Sequence, residues 1–364
     1  MFMNSMSTME TNRRGFMLGA GAFAAMSSFG ADVERKTMSK RKGPFKICMF
    51  ADIHYAPGAY PHSTKAWLKQ VMDHAVAEKC DFAVQLGDFA KPSAKTQDYI
   101  DYSQTFPIPL YHVLGNHDDG PTAEETFRRY GLKCGYYHFD HGGFRFIAMD
   151  PNYIYRGKTG KFEHYAAGNY FRHKKDEGDK IGMVPPEQLA WLKETVDSSP
   201  YPCIILSHQS FERDAGDSCP NYKEVQKVFN EANARCPGRV RMAVNGHHHR
   251  DYVRIKDGVL YWDLNSASFE YVGEGRWAHN RFTPEWLAEN KLKRLKDGKW
   301  PFVSWEAPIH SIVTLDATSG RIRSEGMKAD YSCGVTPGSL GYRTDVCGRP
   351  ITAEVQSFDI RLCV

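Results

Sequence analysis

Five short segments of the chain carry the side chains that most often bind metal ions in proteins. Imidazole, carboxylate and amide groups together form a mixed nitrogen and oxygen donor set, which suits transition metals such as Mn, Fe or Zn. Each segment alone also has an ordinary explanation, since Gly-Asp is common in turns and a single histidine is often buried without a ligand. The segments are Asp52-Ile53-His54, Gly87-Asp88, Gly115-Asn116-His117-Asp118, His208 and Gly246-His247-His248-His249.

Each of the five segments directly follows an apolar run typical of a β-strand. These runs are 45–50, 82–86, 110–114, 203–206 and 240–244. The spacing of apolar residues between them predicts helices over 63–79, 122–130, 186–196 and 222–234. Alternating strands and helices form layered α/β domains, in which the carboxyl ends of the strands meet at one crevice. We therefore expect the five segments to line a single site.

Further strands and two long irregular stretches complete the predicted domain. A hairpin is predicted over 136–149, with Gly142-Gly143 at its turn, and two more strands over 252–255 and 259–263. The stretches 151–184 and 266–307 are predicted as loops, apart from a charged helix near 284–296. In the first stretch, tyrosines alternate with lysines and arginines. Such a stretch either stacks a base and holds a phosphate, or is a solvated loop.

The N-terminus has the layout of an export signal. Arg13-Arg14 precedes a short run of small and apolar residues, as in a twin-arginine signal, although Asn12 stands where Ser or Thr is usual. The run is too short to span a bilayer. We expect residues 1–31 to be the signal and 32–44 a linker, which makes the protein periplasmic or extracellular and the twin-arginine export machinery a partner. An uncleaved anchor or a flexible N-terminus is the alternative.

Composition limits the remaining choices. With 41% hydrophobic residues and a net charge of +4, the chain can bury a full core and does not resemble a basic nucleic-acid-binding domain. No stable binding to nucleic acid is expected.

Nine cysteines without Cys-x-x-Cys spacing exclude a zinc ribbon. Cys48 and Cys203 are predicted to be buried thiols, and an oxidising compartment could pair some of the cysteines in loop-like sequence, namely Cys219, Cys236, Cys333, Cys347 and Cys363.

Taken in order, the five segments resemble the motif set of the calcineurin-like metallophosphoesterase superfamily, over residues 45 to about 265. The resemblance implies an α/β fold, a layered metallophosphoesterase-type β-sandwich flanked by helices. It implies a catalytic domain over 45–330 and leaves the tail, 331–364, without a known role. It also implies two divalent or trivalent metal ions. One would bind Asp52, His54, Asp88 and His249, and the other Asp88, Asn116, His208 and His247, with Asp88 as the bridge.

The resemblance implies two catalytic residues as well. His117 would protonate the leaving oxygen, and Asp118 would hold the His117 imidazole; the alternative for Asp118 is a cap of the following segment. Residues two apart on an extended chain point the same way, so His247 and His249 can both reach an ion while His248 turns aside. Lys91 stands where purple acid phosphatases have a tyrosine ligand, which places the chain outside that branch. The segments 188–192 and 261–265 look more like bacterial phosphodiesterases.

We therefore expect an exported hydrolase with two metal ions that cleaves phosphate ester bonds. The substrate is expected to be a small phosphorylated molecule, with a nucleotide as one candidate. A phosphodiesterase is the first interpretation and a phosphomonoesterase the alternative. A metal-bound scaffold without activity is a remote alternative, because such a protein would be expected to have lost some ligands or His117. The sequence leaves the oligomeric state open.

Overall fold

The computed structural model describes most of the chain after the N-terminal 42 residues. The described residues are 43–56, 65–165, 176–212, 218–271, 278–279, 299–300, 302–332, 336–338 and 350–362. The predicted export signal, most of the linker and the charged helix near 284–296 lie outside them. The helices are α1 (Lys65–Ala77), α2 (Gln97–Ser103), α3 (Ala123–Arg129), α4 (Pro186–Asp197) and α5 (Tyr222–Arg235). The strands are β1 (Phe45–Phe50), β2 (Phe82–Leu86), β3 (Leu110–Val113), β4 (Tyr137–His141), β5 (Phe144–Ala148), β6 (Tyr153–Arg156), β7 (Lys161–His164), β8 (Lys180–Met183), β9 (Cys203–Leu206), β10 (Val240–Asn245), β11 (Tyr252–Lys256), β12 (Val259–Asp263), β13 (Phe269–Tyr271), β14 (Ala278–His279), β15 (Lys299–Trp300), β16 (Phe302–Ser304), β17 (Ser311–Asp316), β18 (Arg321–Gly326) and β19 (Phe358–Arg361).

Two six-stranded sheets form the body of the molecule. The first has the order β19-β18-β17-β1-β2-β3, and the second the order β11-β12-β10-β9-β5-β4. β1, β2 and β3 run parallel to one another, as do β5, β9, β10 and β12. The carboxyl ends of the parallel strands in each sheet therefore face the same way. The predicted α/β fold with a layered β-sandwich is confirmed.

Aromatic side chains fill the space between the two sheets. Phe146 of β5 is fully buried, and its ring contacts Phe45 of β1, Phe82 of β2 and Phe139 of β4. Successive side chains of a strand point to opposite faces, so Phe146 faces the first sheet while Ile147 faces away from it. This aromatic layer sets how the strand ends of one sheet lie against those of the other.

Helices cover the outer faces of the sandwich. Leu192 and Val196 of α4 and Val225 and Phe229 of α5 are buried in one apolar cluster with Ile205 of β9. On the other side, α1 contacts β1 and β2. Its apolar stripe at helical spacing is buried, as the sequence predicts. Each sheet is thus packed on both faces, and the loops at the strand ends rest on rigid elements.

The two stretches predicted as loops contain strands. Within 151–184, β6, β7 and β8 form a three-stranded antiparallel sheet, and within 266–307, β13 pairs with β16. These predictions were wrong because strands of three or four residues, separated by glycines and charges, are too short to show a period of two. The hairpin β17–β18 and the edge strand β19 were not predicted; β17 pairs with β1, so this hairpin extends the first sheet.

Cys48 and Cys203 are buried thiols, as predicted. Cys219 is also buried, while Cys236 is exposed at the end of α5, and both are free. Cys333, Cys347 and Cys363 lie outside the described residues.

In the part of the chain that the structure describes, none of the helices combines the length and the apolar character that crossing a membrane requires.

Replacing Phe146 by Ala should lower the free energy of unfolding by about 3 to 5 kcal/mol, because it opens a cavity between the sheets. Urea unfolding followed by circular dichroism measures this loss. Ile255→Ala on β11 is the control: this side chain is 54% exposed, so the change should stay below about 0.5 kcal/mol. A loss below about 1 kcal/mol for Phe146→Ala would show that the sheets do not depend on this ring.

Candidate metal centre

The loops after β1, β2, β3, β9 and β10 meet at one edge of the sandwich. They bring together all the residues predicted as metal ligands, which come from both sheets. Those of the first sheet are Asp52, His54, Asp88 and Asn116, and those of the second are His208, His247 and His249. All are buried except His247, which is half-buried. Three overlapping groups of donor atoms at this edge could each hold a metal ion, and one of them contains His117 together with His54 and Asp88.

The first cluster contains Asp52, His54 and His249. The Nε2 atoms of His54 and His249 lie 3.2 Å apart. Asp52 Oδ1 lies 3.3 Å from His249 Nε2 and 3.8 Å from His54 Nε2. These three donor atoms face one point, as ligands of a single ion do.

The second cluster contains Asn116, His208 and His247. His208 Nε2 lies 3.1 Å from Asn116 Oδ1 and 3.1 Å from His247 Nδ1. The Asp88 carboxylate stands between the two clusters: its Oδ2 is 3.2 Å from His208 Nε2 and 3.6 Å from His54 Nε2. The structure therefore brings the predicted ligands together around Asp88, and the division into two ligand sets stays a prediction.

The side chains fit the ions that the resemblance implies. Asp52 Oδ1 is buried and has no hydrogen-bond partner among the described residues. Burying such a carboxylate oxygen costs folding free energy unless a cation binds it. His208 Nδ1 donates to the Leu86 carbonyl at 2.7 Å and His249 Nδ1 to the Phe269 carbonyl at 2.6 Å. Each of these rings in its neutral form therefore turns the lone pair of Nε2 into the site. Backbone carbonyls that fix a histidine tautomer in this way are a regular feature of metal sites.

Charge and burial together prepare the site for cations. Burial lowers the pKa of His54 and of His247 well below the usual value, so both rings are neutral, the form that binds metal. Burial also acts to lower the pKa of His208, but the carboxylates of Asp88 and Asp52 raise it to about 9. These carboxylates therefore favour a positive charge at this position, whether it is a proton or a metal ion.

Many of the ligands have a strained backbone. Among the described residues, seven non-glycine residues have positive φ, and five of these are candidate ligands with φ between 50° and 70°. They are Asp52, His54, Asp88, His247 and His249. The left-handed region costs a residue with a Cβ about 1 kcal/mol or more, and such residues gather at functional sites. Bonds such as His54 N to the Asp88 carbonyl, at 2.9 Å, hold these loops in place.

Several residues that support the site were missed by sequence reasoning. The hydroxyls of Ser266 and Ser268 donate to the Asp52 carbonyl at 2.8 and 2.9 Å. The Phe269 carbonyl, which orients His249, belongs to a stretch predicted as a loop. Serine hydroxyls and backbone carbonyls have no sequence signature, so only the tertiary structure reveals them.

The two predicted catalytic residues occupy different positions. The His117 side chain is 32% exposed at the mouth of the site, and its ring stands edge-on to His54 with centroids 4.9 Å apart. Asp118 is buried, and its carboxylate accepts hydrogen bonds from the amides of Phe89, Ala90 and Gly115 and from the Tyr130 hydroxyl. These bonds tie the loop after β3 to the loop after β2. None of these bonds is the contact with the His117 ring that the sequence led us to expect. A role of Asp118 in holding that ring stays a prediction.

In the stretch 151–184, which was expected near the substrate, most of the charged side chains named below form ion pairs within the stretch. Arg156 on β6 pairs with Glu163 and Asp179, Lys158 pairs with Asp176, and Tyr165 is buried. The residues 166–175 of this stretch lie outside the described part of the chain. The small sheet of β6, β7 and β8 supports the site instead.

That support runs through a buried polar network. His164 Nε2 and Asp150 Oδ2 are 3.0 Å apart, and Asn152 bonds both to Asp150 and to the Leu114 carbonyl. Gln209, which follows His208, donates to Asn152 Oδ1 at 2.9 Å. The network thereby connects the loops after β3 and β9.

The sandwich and this ligand set define a class of metal-dependent hydrolases that act on phosphate esters. The sequence profile of the calcineurin-like phosphoesterase family matches residues 45–251. The chain belongs to this family and is a metal-dependent phosphoesterase. No curated protein matches the chain in sequence.

Solved structures with a related fold have low sequence identity to the chain. A dimetal phosphatase from Danio rerio is 15% identical, with 78% of this chain and 95% of that chain covered and a TM-score of 0.47. GAP50, the anchor in the inner membrane complex of Plasmodium, is 13% identical, with 88% and 89% covered and a TM-score of 0.43. A phosphopantetheinyl hydrolase from Mycobacterium tuberculosis is 15% identical, with 60% and 88% covered and a TM-score of 0.37. These similarities carry no information about the substrate of this chain.

Replacing His247 by Ala should remove one metal ion, whereas His248→Ala should retain both. His247 Nδ1 faces the second cluster, but the His248 ring turns toward Asp263 and Ser218, at 3.5 and 3.4 Å. Metal content after dialysis, measured by mass spectrometry, distinguishes the two variants. Equal loss from both would contradict the assignment of His248 as a residue that does not bind metal.

Gly115→Ala should weaken metal binding about ten- to hundredfold, because an added Cβ would lie 2.2 Å from Asp88 Oδ1 and displace the shared carboxylate. Competition with a fluorescent chelator measures the affinity. Gly338→Ala is the control, since its Cβ would lie at an ordinary 3.7 Å from Thr336. Unchanged metal affinity in Gly115→Ala would show that metal binding does not require the present position of the Asp88 carboxylate.

Proposed function

We propose that the protein is an exported phosphohydrolase that uses two transition-metal ions, Mn, Fe or Zn, and prefers small phosphodiesters. The observation that supports this most strongly is the convergence of every predicted ligand, together with His117, at one edge of the sandwich. A scaffold without activity would have no need to keep a complete ligand set under backbone strain. The resemblance of 188–192 and 261–265 to bacterial phosphodiesterases favours a diester, and a phosphomonoester is the alternative.

Asp52, His54, Asp88 and His249 would hold one ion, and Asp88, Asn116, His208 and His247 the other. When bound, two such ions would supply positive charge for the phosphate oxygens and would lower the pKa of water, so that hydroxide is available for attack at neutral pH. The chain provides the remaining chemistry. The Asp88 carboxylate accepts a hydrogen bond from His117 N at 2.7 Å, which fixes the backbone that carries the imidazole. From its half-exposed position, His117 can give a proton to the leaving oxygen as that oxygen separates from phosphorus.

Hydrolysis of bis(4-nitrophenyl) phosphate should exceed that of 4-nitrophenyl phosphate when the metal-free full chain is loaded with Mn, Fe or Zn in turn. Release of nitrophenolate measures both rates. Asp88→Asn should abolish both activities, because it weakens both ion sites. Activity on the monoester alone would replace the diester proposal by a phosphatase, and no activity with two bound ions would support the scaffold alternative.

His117→Ala should reduce kcat about 10²- to 10⁴-fold for a diester with an alkyl leaving group and leave the metal content unchanged. An alkoxide needs a proton to leave, whereas nitrophenolate leaves without one, so the loss should be much smaller for the nitrophenyl ester. Equal losses for the two leaving groups would contradict the role of His117 as a general acid.

We also propose that residues 1–31 direct export through the twin-arginine machinery. Arg13 and Arg14 next to a short apolar run support this proposal. Replacing both arginines by lysine should move the protein from the periplasm to the cytoplasm in fractionated cells. Mass spectrometry of the wild-type N-terminus then locates the cleavage. Unchanged distribution would leave an anchor or another route as the explanation.

A further inference from the structure

A lysine and a buried aspartate stand together at the rim of the metal centre, and the proposed function uses neither. Lys91 Nζ donates to Asp119 Oδ1 at 2.8 Å. The Lys91 side chain is 56% exposed, while that of Asp119 is fully buried. The pair therefore presents an ammonium group to solvent and hides the carboxylate that holds it.

The backbone around Lys91 is fixed. Lys91 lies three residues beyond Asp88, and the preceding Ala90 pairs with Tyr55, the residue after His54. Tyr55 N donates to the Phe89 carbonyl at 2.8 Å, and Thr96 Oγ1 donates to the Lys91 carbonyl at 2.6 Å. The ammonium therefore extends from a rigid segment that also carries a shared metal ligand.

Asp119 links this ammonium to the catalytic side of the site. It lies two residues beyond His117. Burial raises the pKa of its carboxyl group, whereas the hydrogen bond and charge of Lys91, and then the charge of His117, act to lower it. Its second oxygen, Oδ2, is buried and has no hydrogen-bond partner among the described residues. Asp119 thus follows the proposed general acid closely in sequence and pairs with the exposed lysine.

Stability does not explain this arrangement. An ion pair with one exposed partner contributes little to stability, whereas burial of a carboxylate with only some of its hydrogen bonds made is costly. The pair is better explained by the positive charge that it holds in place on the loop after β2, next to a residue two positions beyond His117.

We propose that Lys91, held by Asp119, binds an anionic group carried by the leaving group of the substrate. The inference rests on the proposed function, because His117 defines the side from which the leaving group departs. It narrows the substrate class to phosphate esters whose leaving alcohol itself carries a phosphate or a carboxylate. Lys91 and Asp119 are then specificity residues, and they take no part in bond cleavage.

Two methyl aryl phosphate diesters test the proposal, one with 4-nitrophenol and one with 3-carboxy-4-nitrophenol as leaving group. The quantity measured is the ratio of kcat/KM for the carboxylated ester to that for the uncharged ester, in the Mn-loaded full chain. The wild-type ratio should exceed that of Lys91→Met about fivefold, mainly through KM, which corresponds to one half-exposed ion pair. Lys91→Arg should retain the wild-type ratio, and Asp119→Asn should lower it.

Lys69→Met is the control, because the Lys69 side chain is as exposed as that of Lys91 and also pairs with an aspartate, the exposed Asp73 on α1. Its ratio should equal that of the wild type. An equal ratio in wild type and Lys91→Met would overturn the inference while leaving the phosphohydrolase proposal intact, even if Lys91→Met lowered the melting temperature. Failure of the wild type to hydrolyse either ester with two ions bound would overturn the proposed function and the inference with it.

Discussion

The shared carboxylate of Asp88 is the constraint on which the rest of the site depends. Its Oδ2 lies between His54 and His208, which come from different sheets, and its Oδ1 accepts the His117 amide. A single carboxylate can serve both clusters only if the strand ends of the two sheets are held at a fixed separation. The aromatic layer around Phe146 sets that separation. Core packing and metal geometry are therefore linked through the spacing of the sheets.

The same constraint accounts for the strained backbone. Each ligand follows directly after a strand, and its side chain has to point back over the end of that strand. Few backbone conformations allow this, and the left-handed region is one of them. The strain persists because contacts with the surrounding structure fix the loop conformation more strongly than the backbone preferences of the residues oppose it. Two sets of hydrogen bonds hold these loops locally: Ser266 and Ser268 donate to the Asp52 carbonyl, and three backbone amides donate to the Asp118 carboxylate.

The sequence contains a clear signal for the ligands and a weak one for what supports them. Asp52, Asp88 and His208 could be predicted because side-chain type and position after an apolar strand are local properties of the chain. The role of Asp118 could not be predicted, since it depends on contacts with residues 28 or 29 positions away. The hairpin β17–β18 is different, because its apolar run and Thr-Ser-Gly turn are local signals that the sequence does contain.

Asp118 and Asp119 show how neighbouring identical residues divide two tasks. The Asp118 side chain points inward and accepts hydrogen bonds from backbone amides, so its carboxylate stabilises the loops themselves. Asp119 is equally buried, but its principal partner is a side chain that reaches solvent. A carboxylate bound to backbone amides fixes a loop whatever the substrate, whereas one bound to an exposed ammonium places a charge where a substrate can meet it. The candidate metal ligands serve only the ions and the phosphate group, so selectivity for the rest of the substrate has to arise at such positions on the rim.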